Sequence, residues 1–184
     1  MKSTTNIAGL FILFIVLSYL LVSCSFASSD SFNRKPYDGR ILSIGIVGEV
    51  PDVREKHILF QKIHLHQMKE ASIGHNLDAI FISKEFLSAA AAPEFAKVYK
   101  GAEIPVFFLE SERGYVPFYY EGISYEDAPD TFDLTYATAL VPESGNEMKY
   151  WGFGLNNDKK NKKNIQSAYS DMFQAIDKGS LNNE

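Results

Sequence analysis

Cysteine is nearly absent from this chain: 184 residues contain one, Cys24. A single thiol forms no intrachain disulfide and no cysteine-rich metal site. Histidine is also scarce, with only His57, His64, His66 and His75 to supply imidazole ligands. Positive charge is not in excess. The formal net charge is −5, which argues against nucleic acid as the main partner. The familiar chemical signatures are missing too. There is no G-x-G-x-x-G, no G-x-x-x-x-G-K-[ST], no H-E-x-x-H and no G-x-S-x-G. No internal repeat is visible. Nothing in the pattern obliges the chain to be an enzyme, and it calls for no cofactor.

What the sequence does have is one long apolar run at its start. Ile7 to Leu21 is almost wholly apolar, Lys2 precedes it, and the first acidic residue is Asp30. The run is short of the ~20 residues a membrane span needs, and suits a signal-peptide core. It closes on Leu21-Val22-Ser23-Cys24. This stretch resembles the lipobox of bacterial membrane lipoproteins. The resemblance implies cleavage between Ser23 and Cys24, a diacylglyceryl group on the Cys24 sulfur, and an anchored protein on the extracytoplasmic face of the cell membrane (or of an outer membrane where the source has one). One acyl chain binds a membrane marginally and two bind it stably. An uncleaved anchor helix and an ordinary secretory signal are the alternatives. Once Cys24 is modified no thiol is left, so the exported part must be held by its core. About 150 residues suffice for that.

Three segments follow from this reading: residues 1–23 as a removed signal peptide, 24–39 as lipidated cysteine and flexible tether, and 40–184 as one α/β domain. Residues 25–39 are polar and serine-rich, and as a coil they would span roughly 20 Å. Arg40 to Glu49 reads as a buried strand. A second strand fits Ile58 to Leu65. Val50 to Lys56 has room for a turn or two of helix at most. Leu77 to Ile82 is a third strand. Ser83 sits at an N-cap position before a helix that Pro93 kinks or restarts and Gly101 ends. Ile104 to Leu109 is a fourth strand, so residues 77–109 form a βαβ unit. Near-continuous apolar strands fit a sheet covered on both faces. From 110 to 130 a loop with one or two short strands is expected. Thr135 to Val141 and Lys149 to Gly154 then form a hairpin. Ile165, Ala168, Tyr169, Met172, Phe173 and Ile176 mark an amphipathic closing helix, stopped at Gly179. The expected architecture is a small three-layer α/β domain with a mostly parallel sheet.

Several residues are candidates for function. Glu49, Ser83 and Glu110 fall at the carboxyl ends of strands, where open α/β sheets place functional groups, and would border one crevice. The Gly45–Gly48 pair fits a tight turn better than a phosphate loop. His64 and His66 share a strand face and form a weak metal candidate that lacks a third and fourth ligand. Glu121, Glu126, Asp127, Asp130 and Asp133 lack calcium-loop spacing and read as a solvated acidic loop. Tyr115 to Tyr125, with Tyr150, Trp151 and Phe153, are either core under a long loop or a binding surface, with core favoured. Lys159, Lys160, Lys162 and Lys163 are either a solvated loop or a patch that orients the domain on anionic lipid.

Three functional expectations result. The first is a lipid-anchored module binding a protein or cell-envelope component. The second is an exported hydrolase with carboxylate chemistry near Glu49 and Glu110. The third is a small-ligand or metal carrier using His64 and His66.

Overall fold

Short buried strands alternating with amphipathic segments assemble in the computed structural model into one six-stranded sheet with layers on both faces. The structure describes residues 34–70, 73–130, 135–143 and 147–179. The strands are β1 (Leu42–Val47), β2 (Ile58–Lys62), β3 (Ala79–Ile82), β4 (Val106–Leu109), β5 (Thr135–Pro142) and β6 (Met148–Gly154). Their order across the sheet is β2-β1-β3-β4-β5-β6. The first four are parallel, and β5 and β6 join antiparallel. The mixed α/β architecture expected from the sequence is the one observed.

Alternation along the strands feeds two cores. Leu42, Ile44, Ile46, Ala79, Phe81, Phe107 and Leu109 point to one face. The long helix α4 (Lys162–Lys178) packs there through Ala168, Tyr169, Met172, Phe173 and Ile176. Phe173 lies at the centre, its ring 6.1 Å from Phe81 and 6.5 Å from Phe60. Asn161 caps α4 by accepting from the Asn164 N–H at 3.0 Å, and Gly179 ends it in the left-handed conformation.

The opposite face carries Val47, Ile80, Ile82, Val106 and Phe108. It is covered by short pieces: a 3-10 turn at Leu65–Lys69, α1 (Leu87–Ala90), α2 (Pro93–Lys100) and α3 (Val116–Tyr119). The step from β1 to β2 crosses the α4 face, where Val53 packs. The steps from β2 to β3 and from β3 to β4 cross the other. Leftward and rightward steps must take opposite faces if every crossover has the same hand.

Val50 to Lys56, with room for a turn or two of helix at most, holds none. Three expectations change. β2 stops at Lys62: the Ile63 N–H still donates to the Ile46 carbonyl at 3.0 Å, but the His64 N–H is taken by the Gln67 side chain at 2.7 Å. Residues 110–130 hold no strand, only the single turn α3, which Pro117 favours at its start. Finally, residues 34–39 are not free tether. Tyr37 is buried against Phe173, its N–H donates to Glu55 at 3.2 Å, and Arg34 pairs with Asp171 at 2.7 Å. Pro93 starts a second helix rather than kinking one.

Candidate functional site

The strand order reverses direction between β1 and β3, and a crevice opens at the carboxyl ends of strands at such a point. Here it is a cleft of about 650 Å³. Glu49, Ser83 and Glu110 all line it, following β1, β3 and β4 respectively. Val50, Pro51, Asp52, Leu109, Tyr136, Ile165 and Tyr169 complete the walls and floor, with Lys84, Lys160 and Lys162 at the rim. A neighbouring basin of about 430 Å³ shares Lys84, Glu110, Tyr136 and Lys160 with it. The Lys160–Glu110 ion pair therefore stands between two basins of one trough.

Local backbone devices shape this region. Gly48 has φ +117°, and a Cβ there would lie 1.7 Å from the Ser83 hydroxyl. Only glycine lets the β1 turn pass so close to β3. The Ser83 hydroxyl is 2.9 Å from the Val47 carbonyl and 2.8 Å from Glu85 Oε1. Its one proton serves one acceptor at a time, and it does not cap the following turn. Glu85 accepts from its own backbone N–H and from Ser83, which holds its carboxyl below the usual range.

Glu110 adopts φ 57°, an uncommon left-handed conformation for a side-chain-bearing residue. Its N–H donates to the Tyr136 carbonyl at 2.6 Å. Tyr136 is the extra residue of a bulge between Thr135 and Ala137. The bulge puts Tyr136 on the same core face as Ala137, and so into the floor of the trough. Its ring lies 6.0 Å from Tyr169, edge to face. Burial raises both phenols, and for Tyr136 the Tyr169 hydroxyl offsets part of the rise.

The rim is charged but already matched. Lys160 pairs with Glu110, Lys162 with Asp52 at 2.6 Å, Lys84 with Glu112 at 2.9 Å, and Glu49 lies 3.7 Å from Lys62. The Lys84 contact raises the ammonium and lowers Glu112. Ser83 is engaged, Glu110 is paired and Glu49 is almost fully in solvent. Among the described residues, these three strand-end groups are thus hydrogen-bonded, ion-paired or solvated. The geometry suits non-covalent binding of a ligand with both charges and an apolar middle.

His64 and His66 stack, with ring centroids 5.5 Å apart, on the 3-10 turn rather than on a strand. Among the described residues no group of three or more His, Cys, Asp or Glu is placed to hold a metal. The acidic stretch is spent locally. Glu126 accepts from Ser88, Asp127 from Ser124, Asp130 pairs with Arg113, and Glu121 lies 3.9 Å from Lys97. Asp133, like Ser23 and Cys24, lies outside the described residues. Of the aromatics, Phe118, Trp151 and Phe153 are buried while Tyr120 and Tyr150 are exposed. No described helix is long and apolar enough to cross a membrane.

Sequence reasoning missed Tyr136, Tyr169 and Lys160 as lining groups. The bulge that aims Tyr136 has no signature in Thr135-Tyr136-Ala137, and Lys160 was visible only as one of a charge run. Comparison with known proteins finds no matching family model, no matching curated protein and no matching solved structure.

Proposed function

We propose that this chain is a lipid-anchored extracytoplasmic protein whose α/β domain binds a protein or cell-envelope component through the trough at the carboxyl end of its parallel strands. The anchor rests on one sequence feature: the apolar run closes on the chain's sole cysteine. Cys24→Ala should abolish lipid labelling and release the protein from membranes. Unchanged retention would favour an uncleaved helix.

The binding role is supported by the trough's charge state. Its cations and carboxylates neutralise one another across elements, leaving a tyrosine-floored groove with a bipolar rim. A ligand then exchanges ion pairs instead of desolvating lone charges, which keeps the cost of entry low. Lys160→Glu, which places two carboxylates together at the divide, should lose partners recovered from detergent-solubilised membranes by the wild-type protein. Identical recovery by both removes the trough from consideration.

A second reading, an exported hydrolase using Glu49 and Glu110, draws on the left-handed backbone of Glu110, since such strain gathers at working sites. Glu110→Gln and Glu49→Gln decide it: any hydrolytic activity that survives both is not carboxylate chemistry at these residues.

A further inference from the structure

The sheet has two edges, and they differ. β2 is five residues long and exposes Gln61 and Lys62, the short charged edge that discourages pairing. β6 is seven residues long, Met148-Lys-Tyr-Trp-Gly-Phe-Gly154, and has neither proline nor bulge within it. Lys149 is its only charge and is engaged by Glu143. Among the described residues β6 makes no backbone hydrogen bond beyond its ladder with β5. Its outer N–H and C=O groups therefore form a template for another strand.

The side chains of β6 specify what that strand can be. Trp151 and Phe153 point into the α4-side core. Met148 packs toward the second core, and Tyr150 stacks on Tyr115 with centroids 4.5 Å apart, so the same face carries Met148, Tyr150, Gly152 and Gly154. Tyr150 is 61% exposed despite that stack. Gly152 and Gly154 lie beside that projecting aromatic on the same face, and the Thr135 methyl of β5 lies 3.0 Å from where a Cβ on Gly152 would sit, so a side chain arriving from another strand would lie over both.

We propose that two copies of this chain pair antiparallel through β6, with the two-fold axis at Trp151. In that register Tyr150 lies opposite Gly152 of the second copy and Met148 opposite Gly154, and the two-fold repeats both pairs. Each large side chain covers a glycine across the strand boundary, a combination that pins register in designed sheets. The surface is self-complementary, as an isologous interface must be. No other register of β6 with itself matches large residues to glycines along the whole face. The pairing depends on neither the lipid anchor nor the trough.

Native mass spectrometry of the full chain released from detergent micelles tests this directly, alongside Tyr150→Lys and Tyr150→Phe. Wild type and Tyr150→Phe should appear as dimers. Tyr150→Lys should shift the equilibrium at least about tenfold toward monomer, since an edge lysine is the natural device against pairing. Because Tyr150 is exposed, its circular dichroism should match wild type. In the wild type alone, amide exchange across Met148–Gly154 should slow as concentration rises. A monomeric wild type overturns the proposal. So does a dimer that ignores Tyr150→Lys, or one in which β6 amides gain no protection.

Discussion

At the amino end of the parallel strands, Arg40 reaches Asp78 at 2.7 Å and Asp177 at 3.0 Å, while the second Asp78 oxygen accepts the Ser43 N–H at 2.7 Å. At the carboxyl end, Lys160, Lys162 and Lys84 each meet one carboxylate across the trough. Both ends use ion pairs between elements distant in sequence. At the amino end a carboxylate is bound to backbone and guanidinium together, so the pairs fasten β1, β3 and the end of α4 to one another. At the carboxyl end long lysine side chains, more than half exposed, span a gap. Surface pairs of that kind contribute little to stability and separate readily. The same chemistry closes one end and leaves the other able to exchange partners.

The largest expected effect would break this contrast from the open side. Gly48→Ala drives a Cβ into the Ser83 hydroxyl at a backbone angle that side-chain-bearing residues rarely adopt, and should cost about 3 kcal/mol in denaturant unfolding. A loss under about 1 kcal/mol would mean the β1 turn is free to shift, and the trough's geometry with it. Next comes Asp78→Ala at the closed end, expected to cost about 1–3 kcal/mol because the Ser43 N–H loses its acceptor.

A pH measurement sharpens the closed end further. Tyr37 donates to the Arg40 carbonyl at 2.9 Å, and burial, with Asp177 nearby, pushes its phenol up to about 12. The folded domain thus holds a proton that the unfolded chain gives up near pH 10. Stability from this group is full below pH 10 and is lost as pH rises through about 12. Tyr37→Phe should flatten that alkaline limb, and a superimposable limb would place the titration elsewhere.

The smallest effects belong to the open end. Glu110→Gly relieves a left-handed backbone at the cost of glycine's extra chain entropy. The net change should lie within about 1 kcal/mol, on the stabilising side, while ligand retention falls. Lys160→Met should change stability by less than about 0.5 kcal/mol. If Lys160→Met proves as costly as Asp78→Ala, the two ends are alike and the contrast fails.

Much of the scaffold was readable from periodicity. The apolar runs at β1, β3 and β4 and the i, i+3, i+4 stripe of α4 give the βαβ unit and the closing helix, because burial on both sheet faces leaves little freedom of composition. The positions of Glu49, Ser83 and Glu110 at strand ends were readable for the same reason. The docking of residues 34–39 was not. That stretch is polar, and its attachment depends on Tyr37 finding Phe173 and Glu55, partners 136 and 18 positions away. The early end of β2 was hidden too, since the apolar count runs on through Ile63 and Leu65 while the Gln67 side chain takes the His64 N–H. The ion pair that divides the trough joins Lys160 to Glu110, 50 positions apart, and no local pattern announces a contact that only folding creates.

The place of α4 in chain order has a consequence for biosynthesis. Every described strand precedes it, and among the described residues it is the one helix on the sheet face that carries Phe81 and Phe107. As the chain emerges, that aromatic face stays bare until residues 162–178 have been made. Chains stalled before that point would expose it to chaperones and to aggregation. A nonsense mutation just before residue 162 should therefore be as damaging as an early one.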